Sequence, residues 1–80
     1  PSPDMLLRAM AETGAKARNT VMIGDTTFDM EMARNAGTLA VGVAWGYHKT
    51  EELLEAGAEG VVGTFHGLLE YVQALMERRL

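Results

Sequence analysis

The stretch Thr20-Val21-Met22-Ile23-Gly24-Asp25-Thr26-Thr27-Phe28-Asp29 decides how the rest of this 80-residue chain is read. Its first part is a short apolar run closed by Gly24, the pattern of a strand buried on both faces of a parallel sheet. A helix is predicted to follow directly. Phe28, Met32, Ala33 and Ala36 recur at helical spacing, Thr27 is the expected cap, Glu31 sits early, and Gly37 closes the segment at the position after the last turn.

Outward from that unit the same alternation continues. Leu39 to Val43 reads as a second buried strand, Thr50 opens a short helix that runs to Ala56 and stops at Gly57, and Gly60-Val61-Val62-Gly63 reads as a third strand, short enough for a sheet edge. Thr64 is predicted to cap a final helix whose apolar stripe is Phe65, Leu68, Leu69, Val72, Leu75 and Met76, with Glu70 early and Arg78 and Arg79 late as the helix dipole prefers. Upstream, Ser2 reads as an N-cap, with Pro3 at the first helical position and Asp4 beside it. Leu6, Leu7, Ala9 and Met10 form the apolar side of that helix, Arg8 and Glu12 an exposed pair, and Gly14 the stop.

Strands separated by helices imply an α/β fold, a Rossmann-like parallel sheet with flanking helices joined by right-handed crossovers. Three short strands are few for such a sheet, since about five strand-helix units, or roughly 125 residues, usually cover its core. The chain is therefore expected to be part of a larger α/β domain, or to complete its sheet by self-association. Its opening Pro1-Ser2-Pro3-Asp4, without an initiator Met, points the same way, to processing, trimming or a start inside a longer polypeptide.

Composition excludes several functions. A hydrophobic content of 48% with 22% charged residues suits a folded chain, and the absence of cysteine rules out disulfides and thiolate metal sites. Seven basic against eleven acidic residues leave a net charge of −4, which argues against a nucleic-acid or anionic-membrane partner. The longest apolar stretch, Leu39 to Trp45, is far short of the ~18 residues of a membrane span, and no signal segment opens the chain, so a cytoplasmic setting is expected.

Ligands of open α/β sheets bind beyond the carboxyl ends of the strands, which directs attention to Gly24-Asp25-Thr26-Thr27-Phe28-Asp29. Asp25 falls at the strand's end and Asp29 in the first helical turn, so a tight loop folds one carboxylate toward the other. Two such charges about 4 Å apart repel by ~4 kcal/mol at an effective dielectric of 20, and a cation relieves that repulsion. Two carboxylates without His or Cys suit Mg²⁺ better than Zn²⁺, and they are too few for Ca²⁺. A structural alternative stands beside this reading: both aspartates could simply satisfy backbone donors at a strand-to-helix turn.

Taken in order, Pro1-Ser2-Pro3-Asp4 at a helix start, the apolar strand, Gly24-Asp25-Thr26-Thr27-Phe28-Asp29, a helix ending Asn35-Ala36-Gly37, and Ala40-Val41-Gly42-Val43 followed by Trp45-Gly46-Tyr47 resemble the C-terminal part of a haloacid dehalogenase (HAD) superfamily hydrolase of the phosphoglycolate phosphatase type. The resemblance covers nearly the whole chain. It implies that residues 1–80 are the C-terminal portion of a single HAD-like core domain, with no cap domain, and that Asp25 and Asp29 help bind an essential Mg²⁺. It further implies a phosphatase acting on a small phosphorylated metabolite through an aspartyl-phosphate. In that family a lysine precedes the Pro-x-Pro-Asp stretch and an Asp-x-Asp motif on an earlier strand supplies nucleophile and acid/base. Neither occurs in these residues, and neither Lys16 nor Lys49 takes the lysine's place. The chain alone is accordingly expected to be inactive as an enzyme.

Other candidates carry less. His48 and His66 have no acid, Cys or second His at ligand or triad spacing and read as structural or solvent-facing. Trp45 and Tyr47 read as packing at a strand end, with substrate contact the minor alternative, and Gly46 as a permissive turn. Arg34 reads as a solvated helix residue rather than a phosphate contact. The glycines form no Gly-x-Gly-x-x-Gly fingerprint and no Walker loop. Beside the phosphatase reading stand a non-catalytic metal- or phosphate-binding module and a fragment that completes another chain's sheet.

Overall fold

Leu39–Val43 is apolar throughout apart from Gly42, and every one of its residues is buried, because it forms the central strand of a three-stranded parallel sheet. The computed structural model describes residues 1–45 and 49–79, and for Arg79 the backbone alone. Strands β1 (Val21–Gly24), β2 (Leu39–Val43) and β3 (Gly60–Val62) lie in the order β1-β2-β3. Val21 pairs with Leu39 and Gly24 with Gly42, while Val41 pairs with Gly60 and Val43 with Val62. Helices α1 (Asp4–Thr13), α2 (Thr27–Ala36), α3 (Thr50–Ala56) and α4 (Phe65–Arg79) alternate with them, and a 3₁₀ turn at Ala17–Asn19 leads into β1.

Alternation along β2 sends its side chains into two cores. Leu39, Val41 and Val43 face α4, where they meet Leu68 and Leu75 with Val21, Val62, Tyr71 and Val72 around them. Ala40 faces the opposite layer with Met30 and Ala33 of α2 and Leu53 of α3, joined by Leu6 of α1, Met22 and Val61. Gly42 points the same way. A Cβ there would lie 2.9 Å from Leu53 Cδ1 and 3.2 Å from Val61 Cγ2, so the glycine is what lets α3 seat directly on the sheet.

Several expectations are corrected. The run ending at Ile23 is not buried on both faces: β1 pairs only with β2 among the described residues, and Ile23 remains 43% exposed. A strand needs neighbours on both sides and a layer on each face to be sealed, and β1 lacks part of this. In α2 the buried residues are Met30, Met32, Ala33 and Ala36, and Phe28 is exposed instead of starting the stripe. In α4, Leu68 and Leu75 are buried while Phe65 and Leu69 face out, since one helix on a narrow sheet buries only the side turned to it. Helix α1 begins at Asp4, one residue later than the Ser2 cap implies, yet Ser2 Oγ still accepts from the Asp4 N–H at 3.2 Å. Thr64 does cap α4, accepting from the Gly67 N–H at 3.0 Å. Gly46, Tyr47 and His48 lie outside the described residues.

Candidate functional site

The carboxyl end of β1 is shaped by a capping box. Thr26, with extended backbone angles (φ −128°, ψ 158°), is the N-cap of α2, so the cap stands one residue before the Thr27 that the sequence suggested. Its Oγ1 accepts from the Asp29 N–H at 3.3 Å and donates to Asp29 Oδ2 at 3.0 Å. Asp29 Oδ2 also accepts from the Thr26 N–H at 3.3 Å. The signal for this was present as Thr26-x-x-Asp29, a capping-box spacing with Asp in place of Glu. The carboxylate sits in the first turn of α2, where the helix dipole favours negative charge.

Gly24 is the second element of the loop. A Cβ at this position would overlap the Cβ and carboxylate of Asp29, so the strand can pass this close to the aspartate only as glycine. Asp25 follows directly and stands between that glycine and the cap, outside the Thr26–Asp29 box. Both aspartates are half-buried. The structural alternative is thus realised in Asp29, whose one oxygen is committed to Thr26, whereas the cap leaves Asp25 unused. Among the described residues no group of three or more His, Cys, Asp or Glu is gathered as a complete metal cage. Two carboxylates are what this loop contributes.

The remaining candidates fall elsewhere. Arg34 is exposed, as read from the sequence, and in addition donates from Nη2 to the Glu55 carbonyl at 3.1 Å, tying α2 to the last turn of α3. Its guanidinium lies over Gly57, where a Cβ would stand 3.0 Å from Nε. His66 is exposed and pairs with Glu70 four residues on, Nε2 to Oε1 3.2 Å. Lys16 and Lys49 are exposed. An open groove of about 330 Å³ between α2 and α3 is lined by Thr27, Glu31, Glu52, Glu55 and Ala56. It shares Thr27 with the Asp25 loop, and Glu31, Glu52 and Glu55 give it an acidic lining. No helix among the described residues is long and apolar enough to cross a membrane.

A parallel sheet with helices on both faces and an acidic strand-to-helix loop at its carboxyl end defines a Rossmann-like α/β protein. Within that class the chain belongs to the HAD-hydrolase-like family, whose profile matches residues 1–69. It is 44% identical over 77 residues to the "Probable phosphatase IndB" of Dickeya dadantii, a match that covers 96% of this chain and 34% of that protein. It is 33% identical over 73 residues to a phosphoglycolate phosphatase of Synechococcus elongatus, covering 91% of this chain and 34% of the relative. Among solved structures, a hydrolase from Pseudomonas syringae superposes with a TM-score of 0.83 at 34% identity, over 92% of this chain and 35% of that one. The chain spans about a third of the length of the proteins it matches.

Proposed function

We propose that this chain supplies the metal-binding loop of a Mg²⁺-dependent phosphomonoester hydrolase. The observation that carries the reading is the loop Gly24-Asp25-Thr26-Thr27-Phe28-Asp29 at the carboxyl end of β1, in a chain whose relatives are described as phosphatases. The donor set fits a hard cation: two half-buried carboxylates, one of them held rigidly by Thr26, and no soft ligand. Asp25 and Asp29 would hold the ion. When bound, Mg²⁺ supplies positive charge that offsets the charge on the phosphate oxygens.

The chain's own residues have separable tasks. Thr26 fixes the Asp29 carboxylate, Gly24 gives it room against the strand, and the first turn of α2 presents backbone N–H groups that favour an anion. In this reading residues 1–80 form the C-terminal portion of a HAD-like core domain, and the aspartate nucleophile that would form the aspartyl-phosphate belongs to sequence beyond them. The 80 residues taken alone contain no Asp-x-Asp pair and would bind rather than hydrolyse. The substrate class is a small phosphorylated metabolite in a cytoplasmic setting, with no nucleic-acid or membrane partner. Additional strands, from a longer polypeptide or a second copy, would join at the free side of β1.

Calorimetric titration of Mg²⁺ into the wild type, Asp25→Asn and Asp29→Asn tests this. Loss of a direct ligand should weaken binding by about tenfold or more, no less than the loss of a residue that merely supports one. Equal response of the three proteins would remove the metal reading.

A further inference from the structure

Thr26 and Thr64 cap their helices in the same way, but their surroundings differ. Thr64 Oγ1 accepts from the Gly67 N–H at 3.0 Å, and Gly67 has no side chain with which to answer. Thr26 Oγ1 accepts from the Asp29 N–H at 3.3 Å, and here the acid does answer. The Thr26 hydroxyl and N–H both donate to Asp29 Oδ2, at 3.0 and 3.3 Å. Helix α4 thus starts on a threonine without an acid three residues on, so capping alone does not account for the carboxylate at position 29.

Both returning bonds converge on one oxygen, and among the described residues no donor reaches Asp29 Oδ1. The strand holds the same side chain from its other side. Gly24 lies so close that a Cβ there would overlap the Cβ and Oδ2 of Asp29. Asp29 is therefore fixed against the residue that immediately precedes Asp25, with Oδ2 occupied. A carboxylate gripped through one oxygen offers a cation the other, in an orientation that no longer has to be selected when the cation arrives.

We propose that Thr26 is a positioning residue for the metal: by occupying Oδ2 it leaves Asp29 to meet the cation through Oδ1 alone, so that the bound metal and the start of α2 stabilise each other. This deepens the metal-loop reading and rests on it. A partner that holds a metal ligand from behind is worth about ten- to a hundredfold in metal affinity. Such coupling is reciprocal: a cap that strengthens metal binding is itself strengthened by the metal. The Asp29 N–H, which donates to Thr26 Oγ1, reports the state of the cap directly.

The test joins calorimetric titration of Mg²⁺ to amide hydrogen exchange, on the full 80-residue chain and on Thr26→Ala, Thr26→Ser and Phe28→Gly. Thr26→Ala should bind Mg²⁺ about tenfold more weakly. Thr26→Ser, which keeps the hydroxyl and the N–H, should stay within about twofold of the wild type. Phe28 is exposed, and Phe28→Gly loosens the same helical turn through its backbone while leaving both partners of the cap in place; it too should stay within about twofold. In the wild type, where no variant is needed, Mg²⁺ should slow exchange of the Asp29 N–H. Three results would each overturn the assignment: Thr26→Ala binding as tightly as the wild type, Phe28→Gly losing as much as Thr26→Ala, or Mg²⁺ speeding exchange at Asp29 by drawing Oδ2 off the cap. The metal reading survives any of them so long as Asp25→Asn binds more weakly than the wild type. A wild type that binds no Mg²⁺ would remove the metal reading and the role of Thr26 together.

Discussion

Helices α1, α2 and α3 share one face of the sheet, whereas α4 covers the other alone, and the two layers treat the same strands differently. On the first face Met30, Ala33 and Leu53 are sealed completely. On the second, Leu68 and Leu75 seal β2, but Ile23 of β1 remains open along with Leu69 and Phe65 of α4. Burial in a layered fold is a property of coverage as much as of residue type. Ile23 is as apolar as Val41, yet only Val41 has a strand on each side and a helix above and below.

The sharpest way to break the comparison is Leu53→Ala. Leu53 is fully buried between α3, β2 and β3, and its truncation should destabilise the protein by about 2–5 kcal/mol, read as a lower urea midpoint. Gly24→Ala comes next, with an expected loss of about 1–3 kcal/mol, because a methyl group would have to displace the Asp29 side chain or the strand itself. Its amide spectrum should change most around residues 24–30, and a spectrum unchanged there would contradict the close approach. Thr26→Ala removes the cap and should cost about 1 kcal/mol, with faster hydrogen exchange confined to the first turn of α2. Smallest of all, Ile23→Thr should change stability by about 0.5 kcal/mol or less, as for a surface position. A loss rivalling that of Leu53→Ala would mean that the two faces are equally closed.

The alternation of elements was legible in the sequence because glycines punctuate it. Gly14, Gly37 and Gly57 each follow a helix with positive φ, and each marked a helix end correctly. The third strand was readable as an edge from its length alone. Burial of individual residues was not legible, because Phe28, Ile23, Phe65 and Leu69 are apolar residues at regular spacing whose exposure depends on which faces are covered. Periodicity records what a segment is able to bury, and the neighbouring layer decides what it does bury. The Asp25 and Asp29 pair was visible as a motif, while the Thr26–Asp29 cap was missed because Thr27 is an equally good capping residue by type. The Arg34 bond to Glu55 links residues 21 apart and has no local signal at all.

That bond has a consequence for how the chain tolerates change. Position 57 is constrained twice, by a φ of +123° and by the guanidinium of Arg34 lying where a side chain would go. Of the two, the backbone is the constraint that cannot be relaxed: glycine is required at 57 whatever stands at 34, whereas the guanidinium, the far end of an exposed and flexible side chain, can swing away. Shortening Arg34 would therefore free the space over the end of α3 without making a side chain at 57 acceptable.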